Sequence, residues 1–354
     1  MISLDQYRLL GASGLRVSPL SLGTMTFGTG QDWGADDAMA ARIFDYYVDQ
    51  GGNFIDTANF YGNGGSETVL AGLIRDRRDG LVISTKYSLT MRPGDPNASG
   101  NHRKNMIRSV EDSLKRLGTD HIDLLYLHMW DFVTPVEEIV RAFDDLVRQG
   151  KILYAGLSDL PAWQAARMQE IARLRGWSPF VALQICYNLT ERTVERELIP
   201  MAREMGMGVL PWSPLAGGVL SGKYGEDDLA GPAKGEDAPR KSINIATGRL
   251  NARNLTIAQE GRAVAAELGC SPAQVALAWT LLNPAVTSPV MGVRTLAQLK
   301  DNLGALAVEF DEGQIERLDA ASRIARGFPH ELLASPARSM MFGGITLASD
   351  RSSY

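Results

Sequence analysis

The sequence predicts an α/β fold: a closed (β/α)8 barrel of the TIM type, entered through an N-terminal β-hairpin. Two observations lead there. Short apolar runs of strand character alternate with amphipathic stretches of helical period along most of the 354 residues, and eight such runs can be counted. No linker and no repeat beyond the strand–helix unit divides the chain, so 1–354 reads as one domain.

The elements follow in order. The hairpin is read as residues 7–10, a turn at 11–14 rich in glycine, and residues 15–18. The eight strands are read at 20–23, 53–56, 82–86, 123–128, 154–158, 181–184, 208–212 and 286–290. Ile107, Val110, Leu114 and Leu117 recur at helical spacing before Gly118. Thr134, Pro135 and Glu137 have the spacing of a capping box with proline at the first helical position. That helix carries one stripe of Ile139, Val140, Phe143, Leu146 and Val147, and Gly150 can adopt the left-handed conformation that ends it. Residues 222–254 are rich in Gly, Asp, Pro and Lys, without a clear period, and read as a long loop covering a bound ligand. Residues 327–354 read as an irregular C-terminal segment.

Composition excludes several classes. The chain is 45% apolar and 22% charged, ordinary for a folded protein with a sizeable core. A net charge of -5 argues against nucleic acid as a partner. Cys186 and Cys270 are isolated, and the histidines do not cluster with them at ligand spacings, so neither a disulfide nor a metal site is expected. No basic segment leads into an apolar run at the N-terminus, and a cytoplasmic protein that does not insert into a membrane is expected. Gly11-Ala12-Ser13-Gly14 and Gly28-Thr29-Gly30 fall short of the dinucleotide fingerprint.

The chemistry concentrates at strand ends. Asp56, Lys86 and His128 each close a predicted strand, and Tyr61 follows Asp56 in the next loop. In a barrel the strand ends of one face converge on a single site. A free phenol, with pKa near ~10, is a poor acid at neutral pH. A lysine ammonium beside it stabilises the phenolate and lowers that value, and a carboxylate keeps the lysine charged and oriented. His128 can donate a hydrogen bond to a substrate carbonyl.

These residues carry a resemblance. Gly52-Asn53-Phe54-Ile55-Asp56-Thr57-Ala58-Asn59-Phe60-Tyr61-Gly62, followed by Ser66-Glu67, resembles the signature of the aldo-keto reductases. Lys86 in Ser84-Thr85-Lys86-Tyr87 and His128 in Leu124-Leu125-Tyr126-Leu127-His128 match the family's lysine and histidine motifs. The resemblance runs from about residue 7 to about residue 325, and Trp212-Ser213-Pro214-Leu215-Ala216-Gly217-Gly218 with Ser221-Gly222-Lys223-Tyr224 draws it toward the bacterial and potassium-channel β-subunit-like branch.

The resemblance implies an NADPH-dependent carbonyl reductase, reversible to alcohol oxidation, with Asp56, Tyr61, Lys86 and His128 as the catalytic set and Tyr61 as general acid and base. The alternative it carries is an NADP-binding, redox-sensing regulatory subunit of a channel or other partner. The implied NADP(H) site takes in Gly23, Thr24, Met25 and Asp56 at the first strand ends. Ser158 and Gln184 serve the carboxamide, and Trp212 stacks on the nicotinamide. Ser213, Leu215, Gly217 and Lys223 serve the pyrophosphate; Gly292, Arg294, Gln298, Asp301 and Asn302 serve the adenosine half. A helix starting near Thr295 points amide donors at phosphate, and Arg294 suits a 2′-phosphate, which favours NADP over NAD. Two positions depart from the family: Asp159 replaces its usual asparagine, and Asp301 its commoner glutamate.

The small-molecule partner implied is an aldehyde or ketone, and a homo-oligomer is compatible with the sequence. Met25, Phe27, Trp33, Tyr87 and Trp130 follow or close strands and are read as the wall of an apolar cleft suited to a bulky or aromatic carbonyl compound, such as a quinone, keto-steroid or mycotoxin ketone.

Overall fold

The computed structural model describes residues 2–28, 34–229 and 238–345. Strand β1 (Arg8–Leu9) pairs antiparallel with β2 (Arg16–Val17), the expected hairpin. The barrel strands are β3 (Ser21–Gly23), β4 (Phe54–Asp56), β5 (Val82–Tyr87), β6 (Ile122–Leu127), β7 (Ile152–Ser158), β8 (Phe180–Cys186), β9 (Gly208–Trp212) and β10 (Val290–Gly292). They form one eight-stranded parallel sheet, ordered β10-β3-β4-β5-β6-β7-β8-β9. Its two ends nearly close through a parallel bridge between Val209 and Val286: the Val209 amide donates to the Ala285 carbonyl at 3.0 Å, and the Thr287 amide to the Val209 carbonyl at 2.8 Å.

The last strand departs from the sequence reading. Residues 286–290 do not form one strand, because Pro289 interrupts the run with no amide to donate. Val286 serves the closing bridge, and the ladder to β3 begins at Val290, after the Pro289 carbonyl accepts the Ser21 amide at 3.0 Å.

Side-chain alternation along the strands divides the apolar residues into two cores. Ile55, Ile83, Leu125, Leu127, Leu157, Leu183 and Val209 belong to the outer cluster, beneath the helices. Phe54, Val82, Leu124, Tyr126, Ala182, Leu210 and Val290 fill the barrel, and Leu10 and Val17 of the hairpin close it at the N-terminal end of the strands. The hairpin is therefore a plug that completes the inner core. Asn53 fastens it, with its side-chain oxygen accepting from the Ser18 amide at 2.9 Å and the Ser18 hydroxyl at 3.0 Å.

The outer helices begin with α1 (Asp37–Asp49), α2 (Gly65–Ile74), α3 (Arg103–Leu117), α4 (Val136–Arg148), α5 (Ala162–Arg175) and α6 (Leu198–Met205). They continue with α7 (Ala238–Ala246), α8 (Ala252–Leu268), α9 (Pro272–Leu281), α10 (Leu296–Leu303), α11 (Glu312–Ser322) and α12 (His330–Leu333). Four sequence readings are corrected. The Thr134 hydroxyl is taken by Asp131 Oδ2 at 2.6 Å, so no capping box forms and Pro135, not Thr134, precedes α4. Ile107 is 38% exposed, and Met106 takes its place on the buried face of α3. The stretch 222–254 is not a plain loop: among its described residues are α7 and the start of α8. The segment 327–345 likewise holds α12 and a short helical turn at Pro336–Phe342. Gly150, at φ 70°, ends α4 as expected. Among the described residues no helix is long and apolar enough to cross a membrane.

Gly52, in the motif leading to Asp56, has a packing reason. A Cβ there would stand 2.4 Å from the Tyr47 ring, whose hydroxyl donates to the Leu20 carbonyl at 2.7 Å and ties α1 to the barrel. Gly52→Ala is expected to cost about 1–3 kcal/mol by overpacking, read as a lowered denaturation midpoint in urea; an unchanged midpoint would contradict this packing.

Candidate active site

The alternation that builds the inner core continues at the C-terminal ends of the strands. Two residues beyond Phe54 comes Asp56, and beyond Val82 come Ser84 and Lys86. Tyr126 is followed by His128, Ala182 by Gln184, and Leu210 by Trp212. The same parity turns all of these side chains inward, where the apolar filling gives way to a polar layer. The register sets Asp56 opposite Ser84, Lys86 opposite Tyr126, and Ser158 opposite Gln184.

Lys86, 1% exposed, donates to Asp56 Oδ2 at 2.6 Å, to the Thr57 carbonyl at 2.8 Å and to the Tyr61 hydroxyl at 3.3 Å. The other Asp56 oxygen accepts from the Ser84 hydroxyl and from Gln184 Nε2, each at 2.8 Å. Tyr126 floors the layer, its ring centroid 5.8 Å from the ammonium. The His128 ring stands edge-on to Tyr61, with centroids 6.0 Å apart at 82°. The expected four residues thus meet. Ser84 completes the group, and its place two residues before Lys86 on one strand was a readable signal.

Burial decides the charge states. Desolvation opposes the Lys86 ammonium, but Asp56 and Tyr61 outweigh it and hold its pKa above the ordinary value. Desolvation also raises the Tyr61 phenol, and the Lys86 charge only partly offsets this. The net direction is opposite to the lowering expected from the sequence, so Tyr61 rests as a protonated acid. For His128, burial and then the Lys86 charge push the pKa down to about 3, which keeps the imidazole neutral.

The loop that carries Tyr61 is held from behind. Glu67, fully buried, accepts from the Thr85 hydroxyl and from Arg116 Nε, each at 2.6 Å. Ser66 donates to the Thr24 carbonyl at 2.8 Å and also bonds the Thr24 and Thr57 hydroxyls. The Ser66-Glu67 pair is scaffolding, a role that sequence reasoning did not assign.

The structure places the expected cofactor residues as follows. Ser158 and Gln184 lie side by side at the ends of β7 and β8, both buried. Gln184 gives an N–H to Asp56, and its amide carries both a donor and an acceptor, which suits a carboxamide. Trp212, at the end of β9, offers a half-buried indole. Ser213 has φ 54°; its hydroxyl accepts the Gly217 amide at 3.1 Å, and Asn188 holds its carbonyl at 3.0 Å. Leu215 packs on the outer core at the head of the turn Ala216–Ser221. Gly217, at φ 67°, turns its carbonyl to Asn244 of α7 at 3.0 Å, and a Cβ there would meet Asn244 Oδ1 at 2.3 Å. Lys223 lies with its ammonium 5.0 Å from the Tyr224 ring centroid. Gly23 and Gly292 are register partners, and Gly23 has no room for a Cβ beside Val290. Met25 is 37% exposed. Arg294 precedes α10, whose N-cap Thr295 accepts the Gln298 amide, while Gln298 Oε1 accepts the Arg294 amide at 2.9 Å. Asn302 is buried in the same helix.

Several of these side chains are also engaged by the fold itself, and the burial of Tyr87, Phe27 and Trp130 corrects the reading of the cleft wall. The Thr24 side chain is on the outer parity, and its hydroxyl is bonded to the Asp56 carbonyl at 3.0 Å and to Ser66. Both Asp301 carboxylate oxygens serve the fold, one accepting from Ser271 at 2.8 Å and the other from Gln274 at 3.0 Å. Tyr87, one residue past Lys86, faces outward: it is fully buried, bonds the Asn101 carbonyl at 3.1 Å and packs on Phe143 of α4. Phe27 is also core. Trp130 is 6% exposed and stands edge-on to Phe132, with ring centroids 6.4 Å apart, while Met129, Phe132 and Phe60 are 48%, 78% and 46% exposed. Trp33 lies outside the described residues.

His128 yields a stability prediction. Its folded pKa lies below the 6.5 of the unfolded chain, so the unfolded state takes up the proton first and stability falls as pH drops from about 6.5 toward 3. Between pH 7 and pH 5 this amounts to about 2 kcal/mol, which His128→Asn is expected to abolish in urea titrations at the two pH values. Equal losses in variant and wild type would contradict the neutral, desolvated imidazole.

Known proteins with similar sequences agree with the geometry. The family model for the aldo/keto reductase family matches residues 19–323. A norsolorinic acid reductase of Aspergillus flavus is 36% identical over 93% of this chain and 84% of its own. An aryl-alcohol dehydrogenase of Pestalotiopsis microspora is 35% identical over 97% and 87%. The uncharacterized oxidoreductase YrpG of Bacillus subtilis is 39% identical over 89% and 95%. Members of the family generally use nicotinamide cofactors and act on small carbonyl compounds. The barrel, its inward polar layer and these similarities together make this chain a member of the aldo-keto reductase family, an oxidoreductase.

Proposed function

We propose that the protein is an NADPH-dependent carbonyl reductase in which Tyr61 is the general acid. The observation that carries this reading is the buried chain Asp56–Lys86–Tyr61, with bonds of 2.6 and 3.3 Å, ending at a protonated phenol beside a neutral imidazole.

When bound, the nicotinamide supplies a hydride to the carbonyl carbon. The substrate oxygen lies between Tyr61 and His128. The neutral His128 donates one N–H to it and orients the carbonyl. As negative charge builds on that oxygen, Tyr61 gives up its hydroxyl proton. The Lys86 ammonium, held in place by Asp56, stabilises the phenolate left behind. Solvent returns the proton after product leaves, and alcohol oxidation runs the same transfers in reverse. Because the resting phenol holds its proton, reduction is the direction the unliganded site is prepared for.

Ser158 and Gln184 would hold the carboxamide and Trp212 the face of the ring. The turn Ala216–Ser221 with Lys223 would take the pyrophosphate, and Arg294 beside the N-terminus of α10 would take the 2′-phosphate. The exposed Met25, Phe60, Met129 and Phe132 suit a bulky aromatic carbonyl compound, a reading supported by the norsolorinic acid and aryl-alcohol names of the relatives. Those relatives are named as reductases and a dehydrogenase, and we favour the enzyme over a redox-sensing subunit on that ground.

Loss of reduced-nicotinamide absorbance with a panel of aromatic aldehydes and ketones tests the reading. Tyr61→Phe is expected to cut turnover ~10²–10⁴-fold while cofactor affinity stays close to wild type; unchanged turnover would overturn the mechanism. Arg294→Ala is expected to raise the KM for NADPH roughly tenfold or more and leave that for NADH unchanged. Equal effects on both would overturn the assignment of the 2′-phosphate.

A further inference from the structure

Asp159 stands one residue past β7, where the family's usual asparagine would reach the nicotinamide carboxamide, and an ionised carboxylate cannot donate to the carboxamide oxygen. The structure shows what it does instead. Its backbone is left-handed, at φ 45°, a region aspartate and asparagine enter more readily than most residues. Its carbonyl accepts the Trp130 amide at 3.2 Å, which fixes the turn. Its Oδ1 accepts the indole N–H of Trp212 at 3.0 Å. The Arg249 guanidinium lies 5.7 Å from the centroid of that indole. Trp212 is thus held at its edge by a carboxylate and bounded on its face by a cation.

The residue next to Asp159 is Ser158, the register partner of Gln184. The carboxylate therefore stands between Ser158, its neighbour in the chain, and Trp212, its hydrogen-bond donor. We propose that Asp159 is a positioning residue that fixes the Trp212 platform and places a negative charge beside the nicotinamide, so that the oxidised cofactor is held more tightly than the reduced one. This rests on the reading above that the nicotinamide stacks on Trp212. The ring is a cation when oxidised and neutral when reduced, so a fixed carboxylate in a partly desolvated pocket attracts only the oxidised form. Lys86 and Arg249 act on the ring in the opposite sense, but both stay in place when Asp159 alone is changed, and the difference reports Asp159. The charge favours the oxidised cofactor after hydride transfer and so favours carbonyl reduction within the complex.

Asp159→Asn separates the two roles, since an amide oxygen can still accept from the indole while the charge is removed. Calorimetric titration of the folded protein with NADP⁺ and with NADPH gives the ratio of the two dissociation constants. The expected result is that Asp159→Asn shifts this ratio roughly tenfold toward NADPH, mostly by weakening NADP⁺. Trp212→Phe, which removes the indole N–H and part of the platform but keeps the carboxylate, is expected to weaken both forms and leave the ratio near wild type. An unchanged ratio in Asp159→Asn, or equal weakening of both forms, overturns the role of Asp159 while the nicotinamide reading stands. Failure of the wild-type protein to bind either form overturns both. Should Asp159→Asn fail to fold, Asp159→Ser removes the same charge and is expected to give the same shift in the ratio.

Discussion

The buried pair of Lys86 and Asp56 is the interaction on which the site depends. Lysine and aspartate are seldom fully buried, and each alone in the barrel would be strongly disfavoured. Together, at 2.6 Å, they are stable because every remaining demand is met: Lys86 also reaches the Thr57 carbonyl and the Tyr61 hydroxyl, and Asp56 also accepts from Ser84 and Gln184. The pair joins β4 and β5, reaches β8 through Gln184 and fixes the loop bearing Tyr61. Removing either partner would leave an unpaired buried charge, costing on the order of 3–5 kcal/mol, so the group proposed to transfer the proton is also part of what holds the top of the barrel together.

The barrel explains why such a group can exist. Its inner face is apolar toward the hairpin plug, with Leu10, Val17, Phe54, Val82 and Leu124, and becomes polar toward the C-terminal strand ends, at Asp56, Ser84, Lys86, His128 and Gln184. Strand alternation leaves little freedom: a residue two positions on from an inner apolar side chain must also point inward. Hence a polar layer assembles from strands far apart in sequence, and the outer helices need only pack on the other face. Tyr126 marks the transition, with its ring buried in the inner core and Lys86 above it.

Much of this was legible in the sequence. Each of the residues Asp56, Lys86, Ser158, Gln184 and Trp212 ends a strand-like run, and the residues around Tyr61 are distinctive. The same rule of alternation would have turned Tyr87 outward, since it adjoins the inward Lys86; its aromatic character drew it wrongly into the cleft. Pro289 likewise announced that residues 286–290 could not be one strand. Other features had no local signal. The loss of the Thr134 cap depends on Asp131 capturing its hydroxyl, and the tie of Asp301 to Ser271 and Gln274 depends on how α9 and α10 pack. Helix α7 was hidden by a composition typical of loops. The protonated state of Tyr61 reflects desolvation by the whole site, a quantity that no short motif carries.

In the proposed reaction this polar layer receives a carbonyl oxygen while a nicotinamide gives up its hydride above it. The most direct measurement is mass analysis of the alcohol formed from an aromatic aldehyde with NADPH deuterated at the transferring position of the nicotinamide ring. The expected product is an alcohol one mass unit heavier, with the label on the carbinol carbon. An unlabelled alcohol, or label lost to solvent in that product, would contradict it.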